Sequence, residues 1–181
     1  IDSNSQCGCL HDCLSVVKEW SDNNPTHVPI FITIEPKYAH DFHSICDDDM
    51  DDQLWVDLHQ QILSVFDSDN LVTPTYMQGN YSSLKDSIEE CGWPTVDELR
   101  GKIMFIMDIW DENRPCGKHY LRKVIRSEQI MFIRSDEHLF APTKDSVIFS
   151  FNYDEIIEND FFYFAKEMIA RNFMVRVQGQ L

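Results

Sequence analysis

Val28-Pro29-Ile30-Phe31-Ile32-Thr33-Ile34-Glu35-Pro36-Lys37 decides how this chain is read. The run is apolar, β-branched and aromatic through Ile34, the signature of a strand covered on both faces. Glu35 arrives where the apolar character stops, and Pro36 cannot continue a ladder. Charged groups at the C-terminal ends of buried parallel strands lie where α/β folds assemble their active sites. A carboxylate there can ligate a hard cation, and the lysine two residues on points to the same face. A salt-bridged strand end is the competing reading of this stretch taken alone.

Outward from this strand the elements alternate. Leu10, Leu14 and Val17 recur at helical spacing between Cys7 and Trp20, and Asn23-Asn24-Pro25 closes that helix before the strand. After it, Leu54, Leu58, Ile62 and Val65 make one apolar stripe. A short helix from Ser82 or Ser83 is expected to bury Leu84, Ile88 and Cys91. Thr95-Val96-Asp97-Glu98 has capping-box spacing and starts one helical turn that Gly101 ends. Lys102–Met107 is the next buried strand, and it closes on Asp108. A helix over Lys118–Arg126 places Leu121, Val124 and Ile125 on one side. Strands follow at Gln129–Ile133 and Ser146–Phe151. Asn152 or Asp154 then caps a helix with Ile157, Phe161, Phe164, Met168 and Ile169 inward, and Phe173–Val177 is the last strand.

Alternating strands and helices without internal repeats are the pattern of parallel βα units. The fold class is therefore α/β, a parallel-stranded TIM-type (β/α) barrel. A complete barrel needs roughly 250 residues, and this chain has 181. Five strands ending on a bare strand imply an incomplete barrel: one segment, residues 1–181, lacking the first strands and the end. Such a segment is expected to be inactive and marginally stable by itself, because its sheet edges lie open.

Composition narrows the function. Apolar residues are 43% and aromatics 12%, so the chain is globular. The net charge of −16 argues against nucleic acid and against docking on an anionic membrane. No apolar run reaches the roughly 18 residues of a membrane span. The acidic run Asp47-Asp48-Asp49-Met50-Asp51-Asp52 lacks the glycine and terminal glutamate of an EF-hand loop, and reads as a solvated loop leading into a helix. Six cysteines, Cys7, Cys9, Cys13, Cys46, Cys91 and Cys116, lack the paired halves of a zinc site. An even count near loops suits disulfides and an extracellular or secreted protein, with buried thiols in a cytoplasmic protein as the alternative. Ile1–Gln6 has neither the basic nor the apolar region of a signal peptide, as expected of a mature or truncated chain.

Several segments in order resemble the calcium-dependent phosphoinositide phospholipase C family of phosphodiesterase TIM barrels. They are Cys13-Leu14 with Trp20, Asn24-Pro25-x-His27-x-Pro29, Ile34-Glu35-Pro36-Lys37, Leu71-Val72-Thr73-Pro74, and Phe173-Met174-Val175-Arg176. The most specific string is Gly92-Trp93-Pro94-Thr95-Val96-Asp97-Glu98-Leu99-Arg100-Gly101-Lys102. The resemblance implies phosphodiester cleavage in which a metal clamps the phosphate while side chains act as acid and base. It implies calcium, with magnesium as the alternative, and a phospholipid or phosphodiester substrate. On it, Glu35 and Asp108 are the candidate metal ligands, Lys37 the candidate catalytic residue, and Arg176 and His40 the candidate substrate contacts. Partners would be the substrate and other parts of the same barrel.

Two departures stand beside this. The family carries a catalytic histidine on an upstream strand, and no such strand precedes the first helix here. The family also follows the last strand with Arg and Asp, where this chain reads Gln178-Gly179-Gln180. A catalytically inactive barrel segment that binds or supports is therefore the alternative reading.

Overall fold

The computed structural model describes residues 7–35, 53–108, 114–135, 144–152 and 161–178, with the backbone alone at 114–118, 135, 152, 161 and 178. The helices are α1 (Leu10–Asn23), α2 (Gln53–Leu63), α3 (Pro74–Gln78), α4 (Leu84–Cys91), α5 (Arg114–Lys123) and α6 (Phe161–Ala170). The strands are β1 (Ile30–Ile34), β2 (Leu71–Val72), β3 (Ile103–Met107), β4 (Met131–Ser135), β5 (Ile148–Asn152) and β6 (Met174–Gln178). Every strand pairing is parallel, and the order is β1-β3-β4-β5-β6. β2 lies off this path, pairing Leu71 and Val72 with Ile103 and Met104 of β3, while β4 pairs from Phe105 onward.

The period of two along β3 separates two layers. Ile103, Phe105 and Met107 pack outward with Leu14 of α1, Trp55 and Ile62 of α2 and Tyr120 of α5. Met104 and Ile106 turn to the other face, in a second cluster with Phe132, Ile148 and Phe149. All five β3 residues are buried, as expected of a central parallel strand. β1 differs from expectation. Ile30, Ile32 and Ile34 pack into the helical layer, but Phe31 is 47% exposed and Thr33 is exposed too. Their face turns to the inside of a sheet that is open at β1.

Local chemistry explains the element ends. Thr73 caps α3, its Oγ1 accepting from Tyr76 N at 3.1 Å, with Pro74 in the first turn. Ser83 caps α4 in the same way through Asp86 N at 3.0 Å. The capping box forms as its spacing predicts: Thr95 N donates to Glu98 Oε2 at 2.8 Å and Glu98 N to Thr95 Oγ1 at 3.3 Å. It closes a turn rather than a helix.

Some side chains differ from the sequence reading. Cys91 ends α4 exposed, its sulfur 3.1 Å from the Tyr81 hydroxyl. Ile125 is 60% exposed because α5 stops at Lys123 and the helical phase is lost. Ile169 is exposed one step beyond the buried Ala165 and Met168 stripe, and in α2 Trp55, not Leu54, fills the core. Cys7 and Cys13 form a disulfide at the start of α1, and Cys9 between them is a free, exposed thiol. No described helix is long and apolar enough to cross a membrane.

Candidate functional site

The C-terminal ends of β1 and β3 lie side by side. Ile34 is in register with Met107, and Asp108 N donates to Ile34 O at 2.8 Å, so Glu35 and Asp108 end neighbouring strands at the same end of the sheet. Asp108 continues the inward face of Met104 and Ile106, and Glu35 the face of Phe31 and Thr33. Lys37 and His40, together with the acidic run, lie outside the described residues.

Asp108 is buried and holds two guanidiniums. Arg134, at the end of β4, ion-pairs with Oδ1. Arg176 of β6 donates from Nη1 to Oδ2 at 3.1 Å. Burial is unequal across this triad: the Arg134 side chain is 4% exposed and Asp108 7%, while Arg176 is 50% exposed. The three residues line one cavity of about 500 Å³ with Thr33, Ile106 and Ser150, inside the curve of the sheet. Two positive charges and one negative charge leave this cavity a net positive centre, in a chain whose formal charge is −16.

Sequence reasoning singled out Asp108 and Arg176, and the structure brings them into contact. It passed over Arg134, although the signal was present. Met131-Phe132-Ile133-Arg134 is an apolar strand closing on a charge, just as Ile34-Glu35 and Met107-Asp108 are. The apolar run predicts a strand ending at Ile133, two residues short of the observed end at Ser135.

The sequence model of the Ca2+-dependent phosphoinositide phospholipase C family matches residues 1–179. The chain belongs to this family. No curated protein sequence matches it. Among solved structures, a Ca2+-dependent phosphatidylinositol-specific phospholipase C from Streptomyces antibioticus aligns with a TM-score of 0.69 at 17% identity, covering 97% of this chain and 60% of that one. A calcium-dependent phosphoinositol-specific phospholipase C from a Gram-negative Pseudomonas sp., described as apo form and myoinositol complex, aligns with a TM-score of 0.72 at 20% identity, covering 94% and 58%. A second crystal form of the Pseudomonas apo enzyme gives 0.70 and 19% over 99% and 62%. At these identities the likeness establishes the fold, and the chain spans about three-fifths of the length of these proteins. The open parallel sheet with its flanking helices is thus an incomplete phospholipase C TIM barrel.

The family's most specific string serves this phospholipase C fold at the opposite end of the sheet from Asp108. Gly101 N donates to His27 O at 2.9 Å, Arg100 Nη1 to Thr26 O at 2.9 Å, and Ile30 N to Lys102 O at 3.0 Å. Lys102 Nζ bonds Asp69 O. The first three bonds tie the approach to β1 onto the approach to β3, and the last ties the approach to β2 onto it.

Calcium takes six to eight oxygen ligands. Among the described residues no group of three or more His, Cys, Asp or Glu gathers to hold a metal ion. Both oxygens of Asp108 already accept from guanidiniums, whose charge repels a cation. The described residues therefore do not by themselves fit a calcium site, and what they offer a ligand is an anion contact.

Proposed function

We propose that the complete protein is a phosphoric diester hydrolase of phospholipase C type, acting on a phosphoinositide or a related glycerophosphodiester. The observation that carries this is the Arg134–Asp108–Arg176 triad, a positive centre on the inward face of a phospholipase C-type sheet. Arg176 keeps half its side chain open and presents planar donors suited to a phosphate. In this reading Asp108 organises the two arginines instead of ligating a metal. Calcium is proposed on the family's description, with Glu35 contributing one ligand and the rest coming from residues beyond those described. Lys37 is proposed beside the phosphate as the catalytic cation and His40 as a substrate contact, both on the resemblance alone. Closure of the barrel calls for further parallel strands beside β1 and β6, each of which has one partner among the described residues. The Cys7–Cys13 disulfide supports an oxidising, extracytoplasmic location.

A second reading has support of its own. The pairing of both Asp108 oxygens with arginines, which makes that carboxylate an anion-site organiser, favours a binding segment without turnover. Release of inositol phosphate from phosphatidylinositol vesicles by the complete protein, with and without a calcium chelator, separates the two. Chelator-sensitive turnover supports the hydrolase, and phosphate binding without turnover supports the binding segment.

A further inference from the structure

We infer that Arg134 is a positioning residue for anion recognition, holding Asp108 so that Arg176 stays open to the ligand; this rests on the phosphate-binding reading above. The argument starts from burial. A carboxylate as buried as Asp108 needs a counter-ion that has itself left water. Arg176, half solvated, balances it incompletely, whereas Arg134 is as buried as Asp108 and ends the adjacent strand β4. The Arg134–Asp108 pair is therefore close to neutral, and the unbalanced charge of the triad belongs to Arg176.

Geometry points the same way. A guanidinium facing a free carboxylate pairs with both oxygens through two parallel N–H bonds. Arg134 occupies Oδ1, so Arg176 reaches Asp108 through Nη1 to Oδ2. The rest of its fork keeps its donors for a ligand in the cavity. Remove Arg134, and Asp108 takes Arg176 as its sole bidentate partner, withdrawing the donors that an anion would use. Arg134 thus shapes the site through Asp108 and not by touching the ligand.

The test is a double-mutant cycle in the complete protein, read by calorimetric titration with inorganic phosphate and by sedimentation with phosphatidylinositol vesicles. Arg134→Gln is expected to weaken phosphate binding about tenfold, the loss of one charge-assisted contact. In an Asp108→Asn background the same change is expected to alter affinity by less than about twofold, since the mediator is gone. Arg134→Lys, which still occupies Oδ1, is expected to restore most of the affinity. An equal loss in both backgrounds, or none in either, overturns the inference. If Arg134→Gln does not fold, Arg134→Leu in the Asp108→Asn background serves, because it buries no unpaired carboxylate. Affinity equal to that of Asp108→Asn alone supports the inference, and a further tenfold loss overturns it. Phosphate binding that persists without this coupling defeats the inference alone. No phosphate binding by the parent protein defeats the anion-site reading and the inference with it. Binding to vesicles but not to inorganic phosphate assigns the contact to the lipid headgroup and leaves the cycle to be read there, with the same two outcomes.

Discussion

Arg176 reaches Asp108 at 3.1 Å although β4 and β5 lie between their strands. In a flat sheet three inter-strand steps separate such residues by about 14 Å. Their contact is possible because the sheet curls and turns its polar strand ends inward. The same curl leaves Phe31 and Thr33 facing an interior that β1 does not close.

Arg176 is the exposed member of the triad, so its loss is expected to affect binding more than folding. Arg176→Gln should weaken inorganic phosphate binding by about tenfold or more. Arg176→Lys should fall between, because it keeps the charge and loses the planar fork. Calorimetric titration at two salt concentrations measures both, and unchanged affinity in Arg176→Gln removes the residue from the site.

Glu35 ends β1 beside Asp108. Glu35→Gln in the complete protein is expected to cut calcium-dependent turnover by orders of magnitude with little change in melting temperature. A ligand to a hard cation contributes several kcal/mol to a transition state, whereas a strand-end ion pair contributes about 1 kcal/mol or less. Unchanged turnover with a lower melting temperature would make Glu35 structural.

Gly101 adopts φ +72°, and a Cβ there would lie 2.6 Å from Pro25 O. Gly101→Ala therefore meets both a left-handed backbone and a main-chain clash, and is expected to cost about 2 kcal/mol or more of stability. Chemical denaturation measures the loss. A change below about 0.5 kcal/mol would show that the Pro25 turn moves aside freely.

His59 is expected to make the fold acid-sensitive. The Tyr120 hydroxyl accepts from Ile130 N and Met131 N, both at 3.2 Å, and faces His59 Nε2 at 3.1 Å, which as a neutral ring accepts its proton. Burial lowers the His59 pKa from 6.5 to about 4. The unfolded chain therefore takes up this proton first, so the stability tied to neutral His59 is present above pH 6.5 and is lost as pH falls toward 4. His59→Gln, which keeps an acceptor for Tyr120, should show a shallower fall in melting temperature across that window. Parallel curves for the two proteins would assign the acid sensitivity to other groups.

From the sequence by itself came the parallel α/β alternation, the strands at 30–34 and 103–107, the burial of the second of them, and the acids that end them. Those features are local: apolar runs, caps and chain-breaking residues act within a few positions of each other, and period two assigns each strand residue to a face. The Thr95–Glu98 box formed its reciprocal bonds for the same reason. Tertiary structure alone decided which charges meet. Asp108, Arg134 and Arg176 are 26 and 68 residues apart from the first, and only the curvature of the sheet brings three strand ends to one cavity. Exposure was settled the same way. Phe31 has the apolar character of a core residue and lies on the open side of β1, because burial depends on what stands opposite a side chain, which its own neighbours in sequence do not specify.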